Sequence, residues 1–181
     1  MQPTKIRFTC FPRTEPPPKF TDDIAFIFQK YEDQIGTLHL EKGKTSNEVL
    51  TILRDDLVAL GFEVESGKKK QDKISRPVFF GENGLPTLNY EIDAYQPLWR
   101  CGIEIEAGRA WMGNAIYRDL VQGLVMVQVD ILILAVPNSY KYLSGGRSVI
   151  SNDYDNTISV AESLYGHSRF HFPYRLIIIG Y

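Results

Sequence analysis

An α/β fold with one mixed sheet is the architecture this sequence predicts, and three features carry the prediction. Residues 89–95 and 101–107 read as two neighbouring strands, with Pro97 breaking the first and a short connection suited to an antiparallel hairpin. An apolar stripe at helical spacing follows, made of Ile116, Leu120, Leu124 and Val127. The run 129–136 is then almost continuously apolar, as expected of a strand covered on both faces. A strand, a helix and a second strand in close succession make a crossover unit, so the strands at 101–107 and 129–136 should be parallel.

The remaining elements follow in chain order. Residues 6–11 form a candidate short strand, and Pro16-Pro17-Pro18 is an extended spacer, so 1–20 reads as a candidate arm. Asp22 and Asp23 open a helix to about Gln34, with Ile24, Phe28 and Tyr31 at helical spacing and Gly36 beyond its end. A second helix is predicted over 46–60: Ser46 caps it, Glu48 sits in its first turn, and Val49, Ile52, Leu53, Leu57 and Leu60 form its stripe. Gly61 stops it. Residues 62–65 alternate as a strand, 67–76 are basic and polar, and 79–84 lead through a turn into the strand that carries Asp93. Asn114 is the expected N-cap of the crossover helix. The stretch 138–147 reads as an exposed loop, followed by a helix around 155–165 and a terminal strand at 174–180. With no internal repeat and no composition break, 1–181 is expected to be a single domain.

Composition narrows the class further. A formal net charge of −2 argues against a strongly basic protein that coats nucleic acid, while leaving a local basic face open. No stretch approaches the ~20 apolar residues of a bilayer span, and residues 1–5 show no signal-peptide pattern. The two cysteines, Cys10 and Cys101, are too few for a disulfide framework. Cys101 reads as a buried free thiol, and a reducing cytoplasm is the expected location.

The chemistry concentrates in three acids. Side chains alternate along a strand, so Glu104 and Glu106 share one face, roughly 6–7 Å apart, while Ile103 and Ile105 face the core. Asp93 on the paired strand completes the group. Acids beside apolar strands repel one another and resist burial, and a divalent cation compensates both effects. The arrangement points to metal-dependent hydrolysis. On an isolated strand the same acids would be an ordinary solvent face; the paired strand and the crossover favour a site.

The segments Glu91-Ile92-Asp93-Ala94-Tyr95, Gly102-Ile103-Glu104-Ile105-Glu106-Ala107-Gly108, Tyr117-Arg118-Asp119-Leu120 and Val129-Asp130-Ile131-Leu132-Ile133-Leu134 together resemble the PD-(D/E)xK restriction-endonuclease-like nucleases, closest to the BamHI/BglII type. The helix at 46–60 fits that layout more loosely. The resemblance implies a restriction-endonuclease-like fold and hydrolysis of DNA with Mg²⁺ or Mn²⁺ as cofactor. It implies metal binding by Asp93, Glu104 and the backbone carbonyl of Ile105, with Glu106 at the third catalytic position. Glu48 falls where some members place a further acid, and a homodimer is implied by the symmetry of duplex cleavage. Two positions depart from the pattern: Ile92 stands in place of proline, and Glu106 in place of the usual lysine. A glutamate cannot stabilise charge on a phosphate, so Glu106 shifts toward positioning or deprotonating water.

Candidate DNA contacts are Lys68, Lys69, Lys70 and Lys73 in the basic run, and Arg109 just beyond Glu106. Tyr140, Lys141 and Arg147 in the late loop are further candidates. Each has an ordinary alternative as a solvated side chain or an ion pair. Arg118 and Asp119 are expected opposite the apolar stripe of their helix, and His167 with His171 at a helix end makes a poor metal pair. The competing functional reading is a nuclease-like domain without turnover that binds DNA or a partner protein.

Overall fold

A computed structural model describes residues 4–38, 40, 43–108, 111 and 114–181. Five helices are described: α1 (Thr21–Lys30), α2 (Glu32–Ile35), α3 (Ser46–Ala59), α4 (Ala115–Val125) and α5 (Asp153–Gly166). The main sheet takes β1 (Arg7–Phe11), β2 (Glu63–Val64), β5 (Ala94–Gln96), β6 (Cys101–Ile105), β7 (Ile131–Val136) and β10 (Arg175–Gly180). The pairs β3 (Ile74–Phe80) with β4 (Pro86–Ile92), and β8 (Tyr140–Ser144) with β9 (Arg147–Ser151), are separate hairpins.

The six-stranded order is β1-β10-β7-β6-β5-β2. As the crossover pattern predicts, β6 and β7 are parallel, and β10 adds a further parallel neighbour to β7. The other pairings are antiparallel, so the sheet is mixed and the fold is α/β. Alternation splits the core between two faces. Ile103, Ile105, Ile133, Ala135 and Ile177 pack against α1 and α3 through Phe28, Leu53 and Leu57. Leu132, Leu134, Val136, Leu176 and Ile178 pack against α4 and α5 through Ile116, Leu120 and Ala161.

Several expectations are corrected. The candidate strand at 6–11 is present as β1, so that part of 1–20 is an edge strand, in register with β10 from Arg7 against Gly180 to Phe11 against Leu176. The first helix splits at Tyr31, whose backbone (φ −108°, ψ 13°) leaves helical values. Thr45, not Ser46, caps α3, with a reciprocal box to Glu48. Ser46 Oγ instead accepts the Ala107 N–H at 3.2 Å.

The expected strand at 89–95 is two strands in two sheets, and Asp93 is the bend between them. The basic stretch and the run after it contain β3, turned into β4 by Asn83 and Gly84 at positive φ. The late exposed loop is the β8–β9 hairpin. Asn114 does precede α4, but its left-handed backbone (φ 57°) places no side-chain cap. The inner face of α4 is Ile116, Asp119, Leu120 and Gly123, while Leu124 and Val127 are substantially exposed.

Candidate active site

Asp93 is positioned by what lies on either side of it. Ile92 and Ala94 are both buried, which pins the bend between β4 and β5 to the main sheet. The Asp93 carbonyl accepts the Glu65 N–H at 2.8 Å. Its carboxylate Oδ2 accepts the Ile105 N–H, also at 2.8 Å. That bond seats Asp93 against the end of β6, next to Glu104. Gly102 makes the approach possible: a Cβ there would stand 2.2 Å from Ile92 Cδ1.

Glu104 is 9% exposed, and its neighbours Ile103 and Ile105 turn to the opposite face, so the predicted alternation holds. Asp93 and Glu104 line one cavity of about 490 Å³ with Glu65, Glu91, Lys73 and Arg118. Burial pushes the Asp93 carboxyl up to about 6; the Ile105 N–H opposes this, and Glu65 and Asp119 add to it. Burial holds the Glu104 carboxyl well above the ordinary range, with Asp93 next in effect.

Glu106 lies one residue past β6. Its N–H donates to Ala135 O at 2.9 Å, and its carbonyl accepts the Tyr181 hydroxyl at 2.9 Å. Its carboxylate accepts Arg118 Nη2 at 2.8 Å, while Arg118 Nε donates to Asp119 Oδ1 at 2.8 Å. Glu106 does not line the cavity; Arg118 stands at the wall in front of it. The Glu106 and Asp119 carboxyls lie within hydrogen-bonding reach of each other, and burial followed by the Asp119 charge raises Glu106 to about 8. Asp119 Oδ2 is buried with no hydrogen-bond partner.

Sequence reasoning missed two acids here. Asp119 was expected opposite the apolar stripe but is 1% exposed and turned inward; its spacing from Ile116 (i, i+3) was the available signal. Glu65 is 5% exposed and forms an ion pair with Lys73 at 2.6 Å. Alternation over 62–65 puts Glu65 on the face opposite Phe62 and Val64, and nothing in that pattern marks the face as buried at Glu65.

The other candidates are dispersed. Glu48 accepts the Thr45 N–H at 2.7 Å at the start of α3 and does not line the cavity. Lys68, Lys69 and Lys70 are exposed near the single turn Lys70–Asp72, and of the basic run Lys73 alone lines the cavity. Tyr140 stacks on Tyr142 with ring centres 5.6 Å apart, and its ring packs on Gly108, beyond Glu106. Lys141 Nζ donates to Leu40 O at 3.2 Å, and Arg147 is exposed at the hairpin turn. His167 and His171 follow the end of α5 and share no helix. Arg109 lies outside the described residues.

No protein-family model and no curated protein sequence matches this chain. Among solved structures it is similar to the crystal structure of restriction endonuclease BglII complexed with a DNA 16-mer. The TM-score is 0.53 at 12% identity, over 98% of this chain and 76% of that one. The fold is restriction-endonuclease-like. At this identity the likeness concerns fold, and the chemistry of the cavity stands on its own residues.

Those residues suit a hard divalent cation. Two carboxylates raised by burial, Glu104 by Asp93 as well, gain most from a positive ion beside them. Among the described residues, no three His, Cys, Asp or Glu side chains converge closely enough to grip an ion alone. Mg²⁺ characteristically takes one or two carboxylates and completes its shell with water and substrate phosphate.

Proposed function

We propose that this protein is a Mg²⁺-dependent DNA endonuclease hydrolysing phosphodiester bonds in the manner of type II restriction enzymes. One observation carries the reading: the Ile105 N–H seats the Asp93 carboxylate beside Glu104 at the wall of a shared cavity of about 490 Å³. The fold likeness to an endonuclease solved with DNA supports DNA as the substrate.

Asp93, Glu104 and the Ile105 carbonyl would hold the ion, which when bound polarises phosphate and acidifies water. In the reaction a water oxygen bonds to phosphorus, the bond from phosphorus to one sugar oxygen breaks, and that oxygen takes up a proton. Glu106, turned from Arg118 into the cavity, orients the attacking water and accepts its proton. Each chain carries one such pair of acids at a cavity wall and a duplex has two strands, so we infer a homodimer. No helix among the described residues is long and apolar enough to cross a membrane.

The test is nicking of supercoiled plasmid in Mg²⁺ against excess chelator, with duplex binding followed in Ca²⁺. Asp93→Asn is expected to lose cleavage by at least about a hundredfold while still binding duplex. Unchanged cleavage by that variant removes the assignment. A second reading, a domain that binds DNA or a partner protein without turnover, is favoured by one observation: Glu106 is held by Arg118 away from the cavity. Cation binding by calorimetry with no nicking at any concentration of ion would select it.

A further inference from the structure

We propose that Lys73, seated by the buried carboxylate of Glu65, is a catalytic residue of this cavity and contacts the non-bridging phosphate oxygens as negative charge builds on them. The inference rests on the nuclease reading above and concerns a residue pair outside the strand that carries Glu104 and Glu106.

The charges at the cavity wall single it out. The wall holds the acids Glu65, Glu91, Asp93 and Glu104 and two cations, Lys73 and Arg118. Arg118 already directs Nε to Asp119 and Nη2 to Glu106. Lys73 Nζ lies 2.6 Å from Glu65 Oε1 and 3.6 Å from Glu91 Oε2. An ammonium carries three N–H donors, so a donor remains after both contacts. The Glu65 side chain is 7% exposed and that of Lys73 22%, so the cation is the more accessible member of the pair, and both line the cavity.

The same acid also sets the geometry of Asp93. A carboxylate as buried as Glu65 requires a partner, and its backbone N–H is bonded to the Asp93 carbonyl at 2.8 Å. One residue therefore fixes both the bend that presents Asp93 and the seat of the ammonium. Lys73 and Asp93 line the same cavity. A phosphate entering that volume meets Asp93, Glu104 and a held cation in the same cavity. A preorganised donor of this kind is stronger than the same group in water, because it needs no reorganisation as charge develops. Lys68, Lys69 and Lys70 lie outside this cavity.

The experiment measures single-turnover nicking of supercoiled plasmid in Mg²⁺ with protein in excess, and duplex dissociation constants in Ca²⁺. Lys73→Met is expected to slow nicking about a hundredfold while changing the dissociation constant by less than about threefold. Because it strands Glu65 in the interior, the double variant Lys73→Met/Glu65→Gln is measured beside it, with thermal unfolding to show that both are folded. The double variant is expected to be equally slow. Glu65→Gln alone, which keeps the shape but removes the charge that seats the ammonium, is expected to slow nicking without weakening duplex binding. Lys73→Arg is expected to recover part of the lost rate.

Full nicking by the folded double variant, or a loss confined to the dissociation constant, overturns the proposal. Asp93→Asn separates the two levels. If Asp93→Asn is inactive and Lys73→Met is not, only the role of Lys73 fails. If Asp93→Asn cleaves normally, or the unaltered protein binds duplex and never nicks, the nuclease reading fails and takes Lys73 with it.

Discussion

Asp93, Glu104 and Glu106 are each raised above the ordinary carboxylate range, which turns a site property into a stability property. In the unfolded chain these groups lose protons near 4; in the fold Asp93 is raised to about 6 and Glu106 to about 8, burial being the first cause in both. Between those values the folded protein holds more protons than the unfolded one, so the free energy of unfolding falls as pH rises. Cation-free protein is therefore expected to lose stability as pH rises from about 4 to about 8. A divalent ion competes with the protons, so added Mg²⁺ should raise the melting temperature more at pH 8 than at pH 5. Unfolding scans across that range, in chelator and in Mg²⁺, check it; stability that climbs steadily with pH in chelator would contradict the burial of these acids.

At the scale of elements, the site depends on β4 packing on β6, and at Gly102 the Ile92 side chain leaves no space for a Cβ. In Gly102→Ala the new Cβ meets Ile92 Cδ1, a group buried to 1% exposure with little room to turn aside. A loss of about 1–3 kcal/mol in denaturant unfolding is expected, with weaker cation binding as Asp93 is pushed from Ile105. Ile92→Val removes the clashing methyl and should restore part of both. The contact also shows what was legible beforehand. Alternation identified the buried Ile103 and Ile105 beside Glu104, and the apolar run with its crossover fixed β7 as parallel to β6. Those are local patterns or follow from chain handedness. The β3–β4 hairpin escaped because its residues alternate poorly, with Phe79, Phe80 and Leu85 all more than half or about half exposed. Glu65 escaped, and the convergence of Lys73 and Arg118 with it could not be read, because their placement in one cavity is long-range, brought about by sheet order that no spacing records. Asp93, Glu104 and Glu106 stood out as types, yet only the fold reveals that Glu106 faces Arg118 rather than the cavity.

For the whole molecule, the cavity sits at one end of a chain of support that runs across the sheet. Residue by residue, β1 pairs with β10, β10 with β7 and β7 with β6. The terminal Tyr181, 1% exposed, closes the chain of support by donating its hydroxyl to the Glu106 carbonyl. The segment that reads as an arm is thus the far edge of the platform under the site. Phe11, at the end of β1, is 1% exposed in the core that also takes Leu120 from α4. Deleting residues 1–12 would bare the backbone edge of β10, a strand of Leu176, Ile177, Ile178 and Ile179, and open a void where Phe11 packs. The expected outcome is a chain that melts at markedly lower temperature, binds a hydrophobic dye and aggregates, with DNA binding lost through unfolding. A dispensable arm predicts the opposite: an unchanged melting temperature and a weakened, more salt-sensitive affinity for duplex. Melting curves beside duplex titrations at two salt concentrations distinguish these outcomes, and an unshifted melting curve would mean that β1 contributes nothing to the sheet on which the acids stand.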